Sequence, residues 1–220
     1  MRYFPVFLDL QGKSCVVAGG GRVAERKVKT LLEAGARVKV ISPKLTGPLA
    51  RLKNGGKIVH YPRAYRPKDL RGAFLTIAAT DDRAVNERVF QEATENRIPV
   101  NVVDDPAHSS FIVPSLVKKK DLIVAISTSG RSPALARMLR QKLGKEIGPE
   151  YGRFLTLLGA VRKKVIPQGL GQRRNQKIFR KLVQEDVLSL IKGKEFRELN
   201  RRLATILGTG FSLKDLGLKW

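Results

Sequence analysis

The chain is poor in the residue types that build cross-linked or metal-bearing sites. A single cysteine, Cys15, excludes an intrachain disulfide framework and a multi-cysteine metal site. The two histidines, His60 and His108, are too few and too far apart in sequence to suggest zinc, so no protein metal site is expected. Negative charge is scarce: 19 Asp and Glu face 43 Lys and Arg, a formal net charge of +24. No apolar run approaches the roughly 20 residues of a membrane span. The opening residues, Met1-Arg2-Tyr3-Phe4-Pro5-Val6-Phe7-Leu8-Asp9, lack the long apolar core and small-residue cleavage site of a signal peptide. They read instead as a first edge strand, and the protein as cytoplasmic with no membrane partner. Internal repeats and low-complexity segments are also missing.

What is present is ordinary globular material with an unusual charge. The 42% hydrophobic content and 220 residues suffice for one sizeable core or two modest ones. A field this positive attracts polyanions, whether nucleic acid, an anionic membrane or a small polycarboxylate. The basicity is spread along the chain. Its tail from Gly148 to Trp220 holds 16 basic and 6 acidic residues at helical spacing. No helix-turn-helix, RNA-binding signature or aromatic stacking cluster accompanies it, so specific nucleic-acid binding is not expected.

The most informative stretch is Ser14–Ala18 followed by Gly19-Gly20-Gly21-Arg22-Val23-Ala24-Glu25-Arg26. An apolar run, three glycines and an Ala/Glu/Arg/Lys/Leu-rich segment read as strand, tight turn and helix. Gly19, Gly21 and Ala24 fit the small-residue form of the dinucleotide fingerprint G-x-G-x-x-G/A. The first glycine permits the turn, the second lets backbone approach a pyrophosphate, and Ala24 lets helix pack on strand. The helix N-terminus would then hold the phosphates. The acidic residue expected about 20 residues on is missing: the second strand, Arg37–Ile41, runs into Ser42-Pro43-Lys44. Ser42 offers a hydroxyl to the ribose, and Lys39 and Lys44 would tolerate a 2′-phosphate, which leaves NAD and NADP both open.

Further strands are expected at Lys57–Tyr61, Leu75–Thr80 and Pro99–Val103, with helices at Leu45–Lys53 and Ala84–Glu95 between them. Such alternation argues for a parallel sheet whose ligands lie beyond the carboxyl ends of the strands. Four of those ends, at Gly19–Gly21, Ser42–Lys44, Thr80–Asp82 and Asp104–Asp105, should converge. His60 reads as an ordinary strand side chain. After residue 111 two strands, Phe111–Val117 and Leu122–Ser127, flank a polar turn at Lys118–Asp121. Ser127-Thr128-Ser129-Gly130-Arg131-Ser132-Pro133 follows, with Ser132 placed to cap a helix starting near Ala134. Helices are expected over Tyr151–Val165, Asn175–Ile191 and Phe196–Leu207.

Seven stretches in order carry a resemblance. They are Pro5–Leu10, Val17–Lys27, Leu32–Ala36, Ala78–Asp82, Asn101–Asp104, Ser110–Ser115, and Gly130–Pro133 through Leu135–Arg137. Together they resemble the precorrin-2 dehydrogenase/sirohydrochlorin ferrochelatase family, the N-terminal module of siroheme synthase, closely to about residue 145 and loosely beyond.

The resemblance implies an α/β fold: a Rossmann-type NAD-binding domain over residues 1–112, a small α+β dimerisation segment over 113–147 that makes a homodimer, and a helical C-terminal domain over 148–220. It implies NAD-dependent oxidation of precorrin-2 to sirohydrochlorin, followed in bifunctional members by insertion of ferrous iron. Asp104 is the implied catalytic residue for both steps, although Asp104-Asp105-Pro106 also reads as a plain turn. Asp105 is its neighbour, and two adjacent carboxylates could raise each other's pKa.

The implied cofactor contacts are Gly19, Gly21, Arg22, Val23, Ser42, Pro43, Lys44, Thr80 and Asp81. Thr128 stands where the family has a small hydroxyl residue, and Ser129, Arg131 and Arg137 complete the expected substrate set for a tetrapyrrole bearing eight carboxylates; the arginines are chosen on charge, with Arg140 or the basic tail as the alternative. The methyltransferase domain of multifunctional siroheme synthases has no counterpart in these residues, so methylation is expected from another protein. The competing reading from a different class is an NAD-sensing regulator that binds nucleic acid through its basic tail.

Overall fold

A computed structural model describes residues 2–184 and 186–220. The chain forms two compact units: residues 1–113 with 129–131, and residues 114–128 with 132–220.

The first unit is built on five parallel strands, β1 (Ser14–Ala18), β2 (Arg37–Ile41), β3 (Ile58–Tyr61), β4 (Leu75–Ala78) and β5 (Val100–Val102), in the spatial order β3-β2-β1-β4-β5. Strand β1 sits at the centre because its side chains are apolar on both faces, and alternate residues feed two separate cores. Cys15 and Val17 join Val38, Val40 and Ile77 beneath Ala24, Val28 and Leu31 of α1 (Arg22–Glu33) and Leu49 of α2 (Gly47–Asn54). Val16 and Ala18 join Ile41, Val100 and Val102 beneath Val85, Val89 and Ala93 of α3 (Arg83–Glu95). Helices on both faces of a parallel sheet give the three-layer architecture that the alternation predicts. Burial pushes the Cys15 thiol up to about 11, in keeping with a small apolar filler rather than a nucleophile.

Three expectations change. Residues 3–9 form no strand: Phe4, Val6, Phe7 and Leu8 are exposed, and Pro5 lacks an N–H to offer a ladder. The hairpin of the second unit runs from β6 (Ser115–Lys119) to β7 (Leu122–Ile126), so Lys118 and Lys119 are strand residues, and the turn is tightened onto Lys120, whose φ is +53°. The expected helix at Asn175–Ile191 is two helices, α6 (Gln172–Gln184) and α7 (Val187–Gly193); Glu185, between them, lies outside the described residues.

The rest of the second unit is helical: α4 (Pro133–Glu146), α5 (Pro149–Val165) and α8 (Phe196–Leu207) with α6 and α7. Ser132 caps α4 by accepting from Leu135 N, with proline at the first helical position as expected. Leu157, Val161 and Val165 of α5 pack with Leu182, Ile191, Leu199 and Leu203 in a third apolar core. Among the described residues no helix is long and apolar enough to cross a membrane.

Candidate functional site

In the first unit the strand order brings the carboxyl ends of β1, β2, β4 and β5 side by side. Chain direction reverses its spread between β1 and β4, the position at which open α/β sheets form a ligand crevice. Gly19 leaves β1 at φ +119°, and a Cβ there would overlap the Ala79 carbonyl oxygen and lie 2.7 Å from its carbon. Only glycine fits. Gly20, given no role by the sequence pattern, is equally constrained: a Cβ would overlap the Lys44 carbonyl oxygen and come within 2.7 Å of Ser42 Oγ. Gly21 differs. It sits at the N-cap of α1 in extended backbone, and a Cβ there meets nothing within 4 Å. No described side chain caps this helix, so the amides that open α1 face open space with the positive end of the dipole behind them. Two closed glycines and one open one make a cradle of the shape and polarity that suits an anion. Arg22 is exposed beside it and Val23 half-buried.

A chain of hydrogen bonds ties this loop to the end of β2. Thr46 N donates to Gly20 O at 3.0 Å, and Thr46 Oγ1 donates to Glu25 Oε2 of α1 at 2.8 Å. Lys29 also pairs with Glu25, and the two partners hold its carboxyl below the usual glutamate range. Ser42 is buried, and its hydroxyl donates to Lys44 O at 2.7 Å; Pro43 and Lys44 are exposed. His60, read from the sequence as an ordinary strand residue, donates from Nε2 to Ser42 O at 2.8 Å. Glu25 and Thr46 were given no role by the sequence pattern, which started the second helix at Leu45; the helix starts at Gly47 with Thr46 as its cap, and the contact between Thr46 and Glu25 depends on the fold.

At the end of β4, Thr80 is clasped by Asn86: Asn86 Nδ2 donates to Thr80 O at 3.0 Å, and Thr80 Oγ1 lies 2.8 Å from Asn86 Oδ1. Asp81 is exposed, whereas Asp82 caps α3 by accepting from Ala84 N and Val85 N. Beyond β5, Asp104 is exposed in the left-handed region at φ +60°. Its neighbours fix it there. Val103 N donates to Ala78 O at 2.9 Å, Asp105 N donates to Val102 O at 3.2 Å, and Ser109 Oγ donates to Asp105 O at 2.8 Å. Lys27 of α1 feels the Asp104 charge. Burial, and then Arg26, hold its ammonium below the usual lysine range, while Asp104 pulls the other way.

Asp105 is engaged within its own turn. Its carboxylate accepts from the backbone of Ala107 and His108 and lies 2.7 Å from His108 Nδ1. This pairing with His108, ahead of the backbone bonds, holds the Asp105 carboxyl below the usual range, which corrects the expectation of mutually raised carboxylates. His108 is raised in turn by Asp105 and by Glu87, 3.4 Å from Nε2.

The expected substrate residues are divided between the two units. Thr128 and Arg137 belong to the second unit, Ser129 and Arg131 to the first. Thr128 Oγ1 donates to Ser132 O and accepts from Ser132 N, so its hydroxyl closes the turn that starts α4. Ser129 lies at φ +53°, and Arg131 and Arg137 are exposed. A cleft of about 870 Å³ in the second unit, lined by Arg162, Phe179 and Arg180, was not anticipated.

Residues 6–115, half of the chain, match the family model described as putative NAD(P)-binding. Residues 120–146 match a second, described as sirohaem biosynthesis protein, central. The chain belongs to the precorrin-2 dehydrogenase/sirohydrochlorin ferrochelatase family. Within it, the chain is 40% identical over 217 residues to a siroheme synthase of Thioalkalivibrio sulfidiphilus, covering 99% of this chain and 44% of that protein. It is 46% identical over 169 residues to one from Nitrosospira multiformis, covering 75% of this chain and 36% of the other. It thus spans less than half the length of these relatives. The solved structure of SirC, a precorrin-2 dehydrogenase, superposes with a TM-score of 0.77 at 25% identity, over 89% of this chain and 98% of that one. The Gly19–Gly21 loop lies within the residues matched as putative NAD(P)-binding, and its open Gly21 and uncapped helix leave room for such a group.

Proposed function

We propose that this chain oxidises precorrin-2 to sirohydrochlorin with NAD. The observation that carries the reading is the match to SirC over nearly all of both chains, combined with an exposed carboxylate, Asp104, two strands away from the dinucleotide cradle at the same edge of the sheet. NAD, when bound, supplies the acceptor for one hydride. Gly19, Gly21, Arg22 and Val23 hold the pyrophosphate, Ser42, Pro43 and Lys44 the adenosine ribose, and Thr80 and Asp81 the approach to the nicotinamide end.

Removing two hydrogens from the macrocycle releases a hydride and a proton, so the chain must supply a base. Asp104 is that base: a carboxylate left facing outward by a backbone fixed on both sides takes the proton without competing with an internal bond. The Asp104 charge favours the ammonium form of Lys27 against the burial that opposes it. In the same reading Asp104 accepts pyrrole protons when ferrous iron enters as a substrate. Ser129 and Arg131, in the same unit as Asp104, hold carboxylates of the substrate, while the Thr128 hydroxyl, spent on Ser132, shapes the turn before them, and two copies of residues 113–147 pair to make a homodimer in the cytoplasm.

The direct test is anaerobic incubation of the purified protein with freshly generated precorrin-2, with and without NAD. Sirohydrochlorin absorbance and NADH should rise one for one, and only when NAD is present. Oxidation independent of NAD, or none at all, would send the chain to a different substrate.

A further inference from the structure

We infer that Ser42 is the specificity-determining residue that makes the site prefer NAD to NADP, acting as an obligate hydrogen-bond acceptor. The inference rests on the reading that Gly19–Gly21 and Ser42–Lys44 hold the cofactor. Composition and sequence left this choice open, because no carboxylate follows β2 and two lysines stand near it.

The structure restricts what Ser42 can do. A hydroxyl has one hydrogen and two lone pairs, and a carbonyl oxygen can only accept. Since Ser42 Oγ lies 2.7 Å from Lys44 O, its hydrogen is committed there. What remains is acceptor capacity. The 2′-hydroxyl of NAD can donate to it, in the same sense in which it donates to the carboxylate that other dinucleotide sites use. The 2′-phosphate of NADP presents acceptor oxygens, and so sets lone pairs and negative charge against lone pairs.

The serine cannot readily turn its hydroxyl around. Lys44 O is wedged against Gly20, where even a Cβ would overlap it. Gly20 O is itself held by Thr46 N at 3.0 Å. On the other side His60 Nε2 lies 2.8 Å from Ser42 O, so Nε2 carries a hydrogen; Nδ1 is buried without a hydrogen-bond partner among the described residues. His60 is thus a positioning residue for Ser42. Lys39 does not rescue NADP binding, because it lies mid-strand, opposite Val16 and Val59. The Lys44 ammonium is exposed, and its pull on a phosphate is screened by solvent and salt.

Calorimetry on the full chain with NAD, NADP and 2′-deoxy-NAD tests this. In the wild type, NAD should bind tighter than NADP, and 2′-deoxy-NAD should bind about fivefold more weakly than NAD, the worth of one uncharged hydrogen bond. In Ser42→Ala, NAD and 2′-deoxy-NAD should become equal while NADP binds no worse than before. His60→Ala should erode the preference, and His60→Gln, which keeps an N–H donor, should restore part of it. Equal binding of NAD and 2′-deoxy-NAD by the wild type, or a preference for NADP, overturns the inference; this arm needs no variant to fold. If the wild type binds neither nucleotide, the cofactor site itself is wrong.

Discussion

Alanine at Gly19 and at Gly21 should fail for opposite reasons. At Gly19 the backbone has φ +119°, and the new methyl overlaps the Ala79 carbonyl. Backbone strain of about 1–3 kcal/mol adds to an overpacking cost of about 1–3 kcal/mol. The sum, about 2–6 kcal/mol, lowers Tm by roughly 5–20 °C for a domain of this size. At Gly21 the same methyl meets no protein atom within 4 Å and the backbone is extended, so the fold should hardly notice it. The methyl instead occupies the space in front of the α1 amides. A clash with the pyrophosphate of about 1–3 kcal/mol weakens NAD about 5- to 150-fold. Thermal unfolding followed by circular dichroism, with NAD calorimetry on the same samples, separates the two effects. Gly19→Ala should lose stability. Gly21→Ala should keep Tm within about 2 °C and lose affinity. A Gly21→Ala protein that binds NAD normally, or melts as early as Gly19→Ala, would refute the division of labour between the closed and open glycines.

Two further predictions concern stability alone. Asp105 is depressed and His108 raised by their contact, so the Asp105 share of stability is present above about pH 4 and lost on acidification, while the His108 share is present below about pH 6.5 and lost as the pH rises past its raised pKa. The Tm deficit of His108→Gln should therefore be largest between these limits and shrink on either side; a deficit that is flat with pH would count against the pairing. Leu199 is fully buried in the core of the second unit, so Leu199→Ala should cost about 2–5 kcal/mol in denaturant unfolding of that unit and leave NAD affinity unchanged, and a lost NAD affinity would show that the units are not separable in this way.

Much of the sheet was legible because its strands are buried on both faces and read as short apolar runs. Val16 to Ala18 and Leu75 to Ala78 have no polar face to blur them. The same criterion misled at Phe4–Leu8, where apolar residues do not imply a partner strand. The break between α6 and α7 was hidden because helical spacing continues through Asp186. At the site, the glycines were legible by kind and only partly by role, since Gly20 depends on the Lys44 carbonyl, contributed by a loop 24 residues away. Ser42 was noticed as a hydroxyl, yet donor and acceptor roles follow from that same carbonyl. Asp105 beside Asp104 suggested a raised pKa; His108, three residues on, was the available cation, and the turn that brings it to Asp105 lowers the Asp105 carboxyl instead.

The most direct test of the account is the rate of NADH formation from precorrin-2 in Asp104→Asn. Asparagine keeps the shape and tolerates the left-handed backbone that position 104 requires, but it cannot accept the proton. The account predicts NAD affinity and Tm close to wild type, with kcat reduced about a hundredfold or more, the usual worth of a general base. Turnover within a few-fold of wild type would remove Asp104 from the chemistry.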